Sequence, residues 1–143
     1  MIVLGADMHK ASHTLAAVSA PMGELVGDRT VRVGEAGFVA ALDWARGLGE
    51  VRVWALEDCR HVSGSFERFL IVNGEHVVRV PTRLMAGERR GGRERGKSDR
   101  IDALAVAWAV LRQGVDELPA AVLAGVELDL RLLVDQATSV EVV

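Results

Sequence analysis

The order in which hydrophobic periodicity changes along the chain restricts its fold more than any single motif does. An apolar run from Met1 to Ala6 ends in Asp7 and predicts a buried strand. Thr14 to Ser19 and Glu24 to Val33 are strand-like and are separated by the turn signal Pro21-Met22-Gly23. In the second of these, alternation is expected to place Val31 and Val33 on one face and Arg29 and Arg32 on the other. The spacing then becomes helical over Gly37 to Leu48, with Phe38, Leu42 and Ala45 on one stripe and Gly47 or Gly49 as the stop. Val51 to Leu56 predicts a fourth strand, which runs directly into Glu57 and Asp58. A helix is expected from an N-cap at Ser63 to about Gly74, with Phe66, Phe69 and Leu70 inward, and His76 to Val80 predicts a fifth strand. The order β-β-β-α-β-α-β followed by a helix is an α/β pattern with a mixed sheet.

After the fifth strand the composition shifts. Met85 to Ser98 holds four glycines among its arginines, has no apolar periodicity and predicts a mobile loop. Ser98 or Asp99 opens a helix whose apolar face is expected to be Ile101, Leu104, Ala105, Trp108 and Leu111, ending at Gly114. A last helix is expected over Pro119 to Asp135, with Val122, Val126, Leu130, Leu133 and Val134 as an apolar stripe that favours pairing with a second copy. Trp44, Trp54 and Trp108 fall within apolar patterns and are expected in the core.

With 143 residues, half of them hydrophobic, the chain can bury a real core in a single domain. Its apolar stretches are too short to span a bilayer, and its N-terminus has no signal-peptide pattern. Cys59 is its one cysteine, which excludes an internal disulfide and a zinc-cysteine cluster and suits a cytoplasmic location. The net charge of −3 conceals an asymmetry. Arg83, Arg89, Arg90, Arg93, Arg95, Lys97 and Arg100, against Glu88, Glu94 and Asp99, give residues 83–100 a charge of +4 and leave −7 for the rest. Such a segment can contact phosphates, although a solvated loop has the same composition.

Asp7 and Glu57 close predicted strands, and side chains there project past the last ladder bond, where α/β sheets bind ligands. Asp99 and Asp102 are three apart at a helix start and share one face. Singly, each acid is an ordinary turn or first-turn residue. Together they would repel, each close pair costing ~4 kcal/mol at an effective dielectric of 20, unless a hard cation such as Mg²⁺ or Mn²⁺ joined them. His9 and Lys10 follow Asp7 and could reach a phosphate, or could simply form a solvated turn.

The stretches VLGADMHKASHTLAAV, ALEDCRHVSGSFERFLI, HVVRVPTRLMAG and RERGKSDRIDALAVA resemble the N-terminal domain of the DEDD transposases, recombinases of insertion sequences related to the pilin-gene invertases. The resemblance covers nearly all of residues 1–134. It implies an RNase H-like, RuvC-like fold with a five-stranded mixed sheet flanked by helices. It further implies catalytic, metal-holding roles for Asp7, Glu57, Asp99 and Asp102, with Mg²⁺ or Mn²⁺ as cofactor and DNA as substrate. A structured guide RNA and a second copy of the chain are implied as partners. Lys10, Arg83, Arg89, Arg90, Arg93, Arg95, Lys97 and Arg100 become the expected nucleic-acid contacts. The domain division expected on this basis is a nuclease unit over 1–115 and the start of a helical linker over 116–143, without the family's C-terminal serine domain. A non-catalytic remnant that modulates a full-length transposase is the alternative. A sugar-kinase or actin-like ATPase is disfavoured, because Met8-His9-Lys10-Ala11 lacks the glycine-rich phosphate turn such enzymes need after the first aspartate.

Overall fold

The computed structural model describes residues 1–58, 64–85 and 97–122, without the side chains of Lys97 and Ser98. Strands β1 (Ile2–Met8), β2 (Ser12–Ser19) and β3 (Glu24–Arg32) form an antiparallel meander. Helix α1 (Glu35–Leu48) leads to β4 (Arg52–Glu57), and helix α2 (Gly64–Val72) leads to β5 (Val77–Val80). Both of these strands are parallel to β1, so the sheet is mixed, in the order β3-β2-β1-β4-β5. A 3-10 turn (Thr82–Met85), helix α3 (Lys97–Gln113) and a second 3-10 turn (Val115–Glu117) follow.

Alternation along the strands divides the core between the two faces of the sheet. Ile2, Leu4 and Ala6 of β1, with Leu15, Trp54 and Leu56, pack beneath α1 and α2 through Phe38, Leu42, Phe66 and Leu70. Val3, Val18, Val53 and Ala55 face α3 through Ala105, Val106, Ala109 and Val110. Gly5 also lies on the α3 face by this alternation. A Cβ added there would stand 2.0 Å from the Ala103 carbonyl oxygen and 2.6 Å from the Ala107 backbone nitrogen. Only glycine on the strand, opposite alanine on the helix, permits so close an approach.

That contact explains why the apolar face expected for α3 packs only in part, with Ala105 buried and Leu104 and Leu111 partly buried against the same core. Ala103, Ala107 and Val110 are buried, whereas Trp108 is 39% exposed and donates its indole N–H to the Gly23 carbonyl at 3.0 Å. Small side chains face the sheet because the backbone comes so near, and the tryptophan is displaced to the rim. Of the other tryptophans, Trp54 is fully buried and Trp44 packs partly buried against the α1 face.

Three further expectations need correction. Arg29 shares the face of Val31, as equal parity on a strand requires, and its guanidinium lies 5.4 Å from the centre of the Trp44 ring. Met85 is fully buried against the α3 face, so the loop expected from that residue cannot start there. Pro119 does not open a helix. Ala120 bridges Val78 of the edge strand β5, with Arg79 donating to the Pro119 carbonyl and Ala121 donating to that of Val77. Unpaired groups of that edge satisfy the segment better than an isolated first helical turn would. Residues 86–96, Cys59 and the stripe beyond Val122 lie outside the described residues.

Candidate metal centre

The site grows from the carboxyl end of β1. Asp7 follows Val3 and Gly5 on the face covered by α3, and its cross-strand partner is Thr14, which in turn pairs with Thr30. The two threonine hydroxyls are 3.0 Å apart. Ala6 and Leu56 are the last register pair between β1 and β4, so Asp7 and Glu57 are the next residues on adjacent parallel strands. By the same alternation Glu57 falls on the α3 face, following Val53 and Ala55.

Helix α3 runs back over β1 from this end. With Ala103 fixed on Gly5, Asp99 lies one turn earlier and meets the end of β1. His9, two residues after Asp7 and so on the same side of the extended chain, joins the two acids. Its Nε2–H donates to Asp7 Oδ2 at 2.8 Å, and the same nitrogen lies 3.4 Å from Asp99 Oδ1. One ligand atom from each of Asp7, His9 and Asp99 lies within 4.8 Å of the others, close enough for one cation to be shared among them.

Electrostatics at Asp7 is dominated by desolvation. Its side chain is only 10% exposed. Burial pushes its pKa up to about 6, the hydrogen bond and charge of His9 pull it back, and the charges of Asp102 and Asp99 raise it again. Asp102 is therefore near enough for its charge to act on Asp7. The His9 imidazole is raised above its ordinary value, chiefly by its bond to Asp7. Once protonated, this half-exposed ring between two acids offsets part of their repulsion, the same task a bound cation would perform.

The structure thus joins Asp7 and Asp99 through His9, places Asp102 within electrostatic reach, and sets Glu57 at the neighbouring strand end. Among the expected nucleic-acid contacts, Lys10 is exposed in the turn after β1, and Arg83 is exposed on the 3-10 turn. Arg100 is exposed at the start of α3, 3.9 Å from Asp28. Lys97 opens α3, and Arg89, Arg90, Arg93 and Arg95 lie outside the described residues. In the sequence alone His9 is ambiguous between a phosphate contact and a solvated turn, and Gly5 has no assigned role. The spacing Gly5-x-Asp7-x-His9 carries both signals, since Gly5 and Asp7 share a face of β1 and His9 continues that alternation one residue past its end.

A family model described as a transposase, of the IS110 DEDD type, matches residues 4–139. The chain belongs to the IS110-type DEDD transposase family. No curated protein matches it. Among solved structures it is similar to *Thermus thermophilus* RuvC, as determined in complex with a Holliday junction substrate. That match has a TM-score of 0.59 at 13% identity and covers 85% of this chain and 100% of that one. A second *Thermus thermophilus* RuvC structure matches with a TM-score of 0.58 at 14% identity, over the same shares of each chain. These likenesses assign the transposase domain the RNase H-like fold.

Proposed function

We propose that this domain carries out divalent-metal-dependent cleavage or exchange of DNA phosphodiesters during transposition, with Asp7, Glu57, Asp99 and Asp102 as the metal-holding acids. The observation that carries this reading is the Asp7–His9–Asp99 cluster, built where β1 ends beneath α3 in a member of a transposase family. Membership of that family and the RuvC-like fold support DNA as the substrate. The donor set fits a hard cation: carboxylate oxygens dominate it, and one of them, on Asp7, is buried at an energetic cost that a cation would relieve. Bound Mg²⁺ or Mn²⁺ would supply charge stabilisation at the phosphoryl oxygens and activation of the attacking oxygen.

The chain's own residues hold and frame this chemistry. Buried Asp7 is fixed by the sheet, whereas Asp99 and Asp102 arrive on a helix whose height above the sheet is set by Gly5. Lys10, Arg83 and Arg100, with Lys97 and the arginines of the 89–95 segment, would bind the backbone phosphates of DNA or of a structured guide RNA. The nuclease unit of residues 1–115 is completed on this reading by the extended Pro119–Ala121 segment, the linker follows, and two copies act together.

The test is cleavage of branched and transposon-end DNA by the full chain with Mg²⁺, with Mn²⁺ and with chelator. Metal-dependent cleavage that is lost in Asp7→Asn supports the proposal. Cleavage that persists in chelator, or survives Asp7→Asn, rejects it.

A further inference from the structure

We infer that His9 is itself a metal ligand, contributing Nε2 beside the Asp7 and Asp99 carboxylates and biasing the centre toward transition-metal ions over Mg²⁺. The inference rests on the reading of this site as a metal centre and goes beyond it by assigning a nitrogen donor to a centre otherwise built from acids.

Geometry is the first support. Two ligand atoms about 2.1 Å from one ion and at right angles to each other stand about 3.0 Å apart, and opposite ligands stand about 4.2 Å apart. His9 Nε2 lies 2.8 Å from Asp7 Oδ2 and 3.4 Å from Asp99 Oδ1, which brackets the right-angle spacing on both sides. All three ligand atoms lie within 4.8 Å of one another, against about 4.2 Å for opposite ligands of one ion, so side-chain adjustment with the backbone in place would seat it. The backbone is the second support. His9 stands one residue past the end of β1, and its amide donates to the Ser12 carbonyl at 3.1 Å, which pins the turn that presents the ring. The third is accessibility. The His9 side chain is 53% exposed, so its nitrogen can exchange the Asp7 hydrogen bond for a metal bond without disturbing the core.

The choice of ion follows from ligand chemistry. Mg²⁺ prefers oxygen and keeps its waters, whereas imidazole favours the first-row transition ions. Mn²⁺, at the weak end of that series, still takes a nitrogen ligand more readily than Mg²⁺ does, so an imidazole in the ligand set should matter more for Mn²⁺ than for Mg²⁺.

Calorimetric titration of the full chain with Mn²⁺ and with Mg²⁺, for the wild type, His9→Ala and Asp7→Asn, tests this together with pulsed EPR of the Mn²⁺-loaded protein. The expected result is a directly coordinated nitrogen signal in the wild type that disappears in His9→Ala. It should come with about a tenfold or greater loss of Mn²⁺ affinity and a change in Mg²⁺ affinity below about threefold. Wild-type Mn²⁺ affinity in His9→Ala, or no coordinated nitrogen in the wild type, overturns the inference. If Asp7→Asn abolishes Mn²⁺ binding while His9→Ala is silent, only the histidine assignment falls. If Asp7→Asn also binds Mn²⁺ normally, the metal-centre reading falls with it.

Discussion

Gly5 and Ala103 touch backbone to backbone, and that single contact sets the height at which α3 carries Asp99 over Asp7. A Cβ at Gly5 would lie 2.0 Å from the Ala103 carbonyl oxygen, with backbone rather than a flexible side-chain tip in its way. Gly5→Ala should therefore lift the helix or unfold the domain, at a cost of about 3 kcal/mol, the upper part of the range for overpacked cores. Urea denaturation would read the loss. A Gly5→Ala protein with wild-type stability and metal affinity would show that α3 is not held as described.

Without metal, Asp7 should make the fold less stable as pH rises. Its carboxyl titrates near 6 in the folded chain against a reference value of 3.8, so the folded state holds the proton more tightly. The associated stability is fully present below about pH 4 and is lost as pH climbs through 6. His9, also raised, shifts stability in the same direction over a higher range. Asp7→Asn should consequently stabilise the chelated protein at pH 8 by on the order of 1–3 kcal/mol while weakening metal binding. Equal urea midpoints for the variant and the wild type at pH 8 would contradict this.

His13 should produce the opposite trend. It is fully buried between Phe38 and Phe66, its Nδ1 bonds the Ser12 carbonyl, and its Nε2 has no hydrogen-bond partner among the described residues. Burial lowers its pKa below the ordinary value of 6.5, so its contribution holds above that pH and is lost as pH falls toward the lowered value. His13→Leu, close in volume, should remove the penalty and narrow the gap in Tm between pH 7.5 and 5.5. An unchanged gap would place the acid sensitivity elsewhere.

Glu75 offers a stability lesion remote from the metal centre. Its side chain is 6% exposed, accepts two bonds from the Arg52 guanidinium at 2.9 and 2.8 Å, and accepts the Trp54 indole N–H at 2.8 Å. Arg52 holds the Glu75 carboxyl below the usual carboxylate range, and Trp54 lowers it further. Glu75→Ala strands a largely buried cation and a buried indole donor, at about 3 kcal/mol. Thermal unfolding should report that loss while Mn²⁺ affinity at the folded site stays unchanged.

What could be read in advance was what depends on local periodicity. The strand order, the Phe38–Leu42–Ala45 stripe of α1 and the placement of Asp7 and Glu57 at strand ends all follow from alternation and turn residues. What could not be read depends on contacts between distant segments. The α3 face was legible only in part: Leu104 and Leu111 do pack, partly buried, but Ala103 and Ala107 make the closest approach, and Gly5, which selects them, stands about a hundred residues away. Pro119 looked like a helix start because nothing local shows that the edge of β5 is available to it. His9 was half legible: its parity with Asp7 was visible, but its second partner, Asp99, comes from the far end of the chain.

The pairing of Ala120 with Val78 also fixes a direction of travel. Strand β5 runs toward the carboxylate end of the sheet, and the returning segment passes it antiparallel, from Pro119 beside Arg79 to Ala121 beside Val77. At Val122 the polypeptide is thus heading for the pole opposite Asp7.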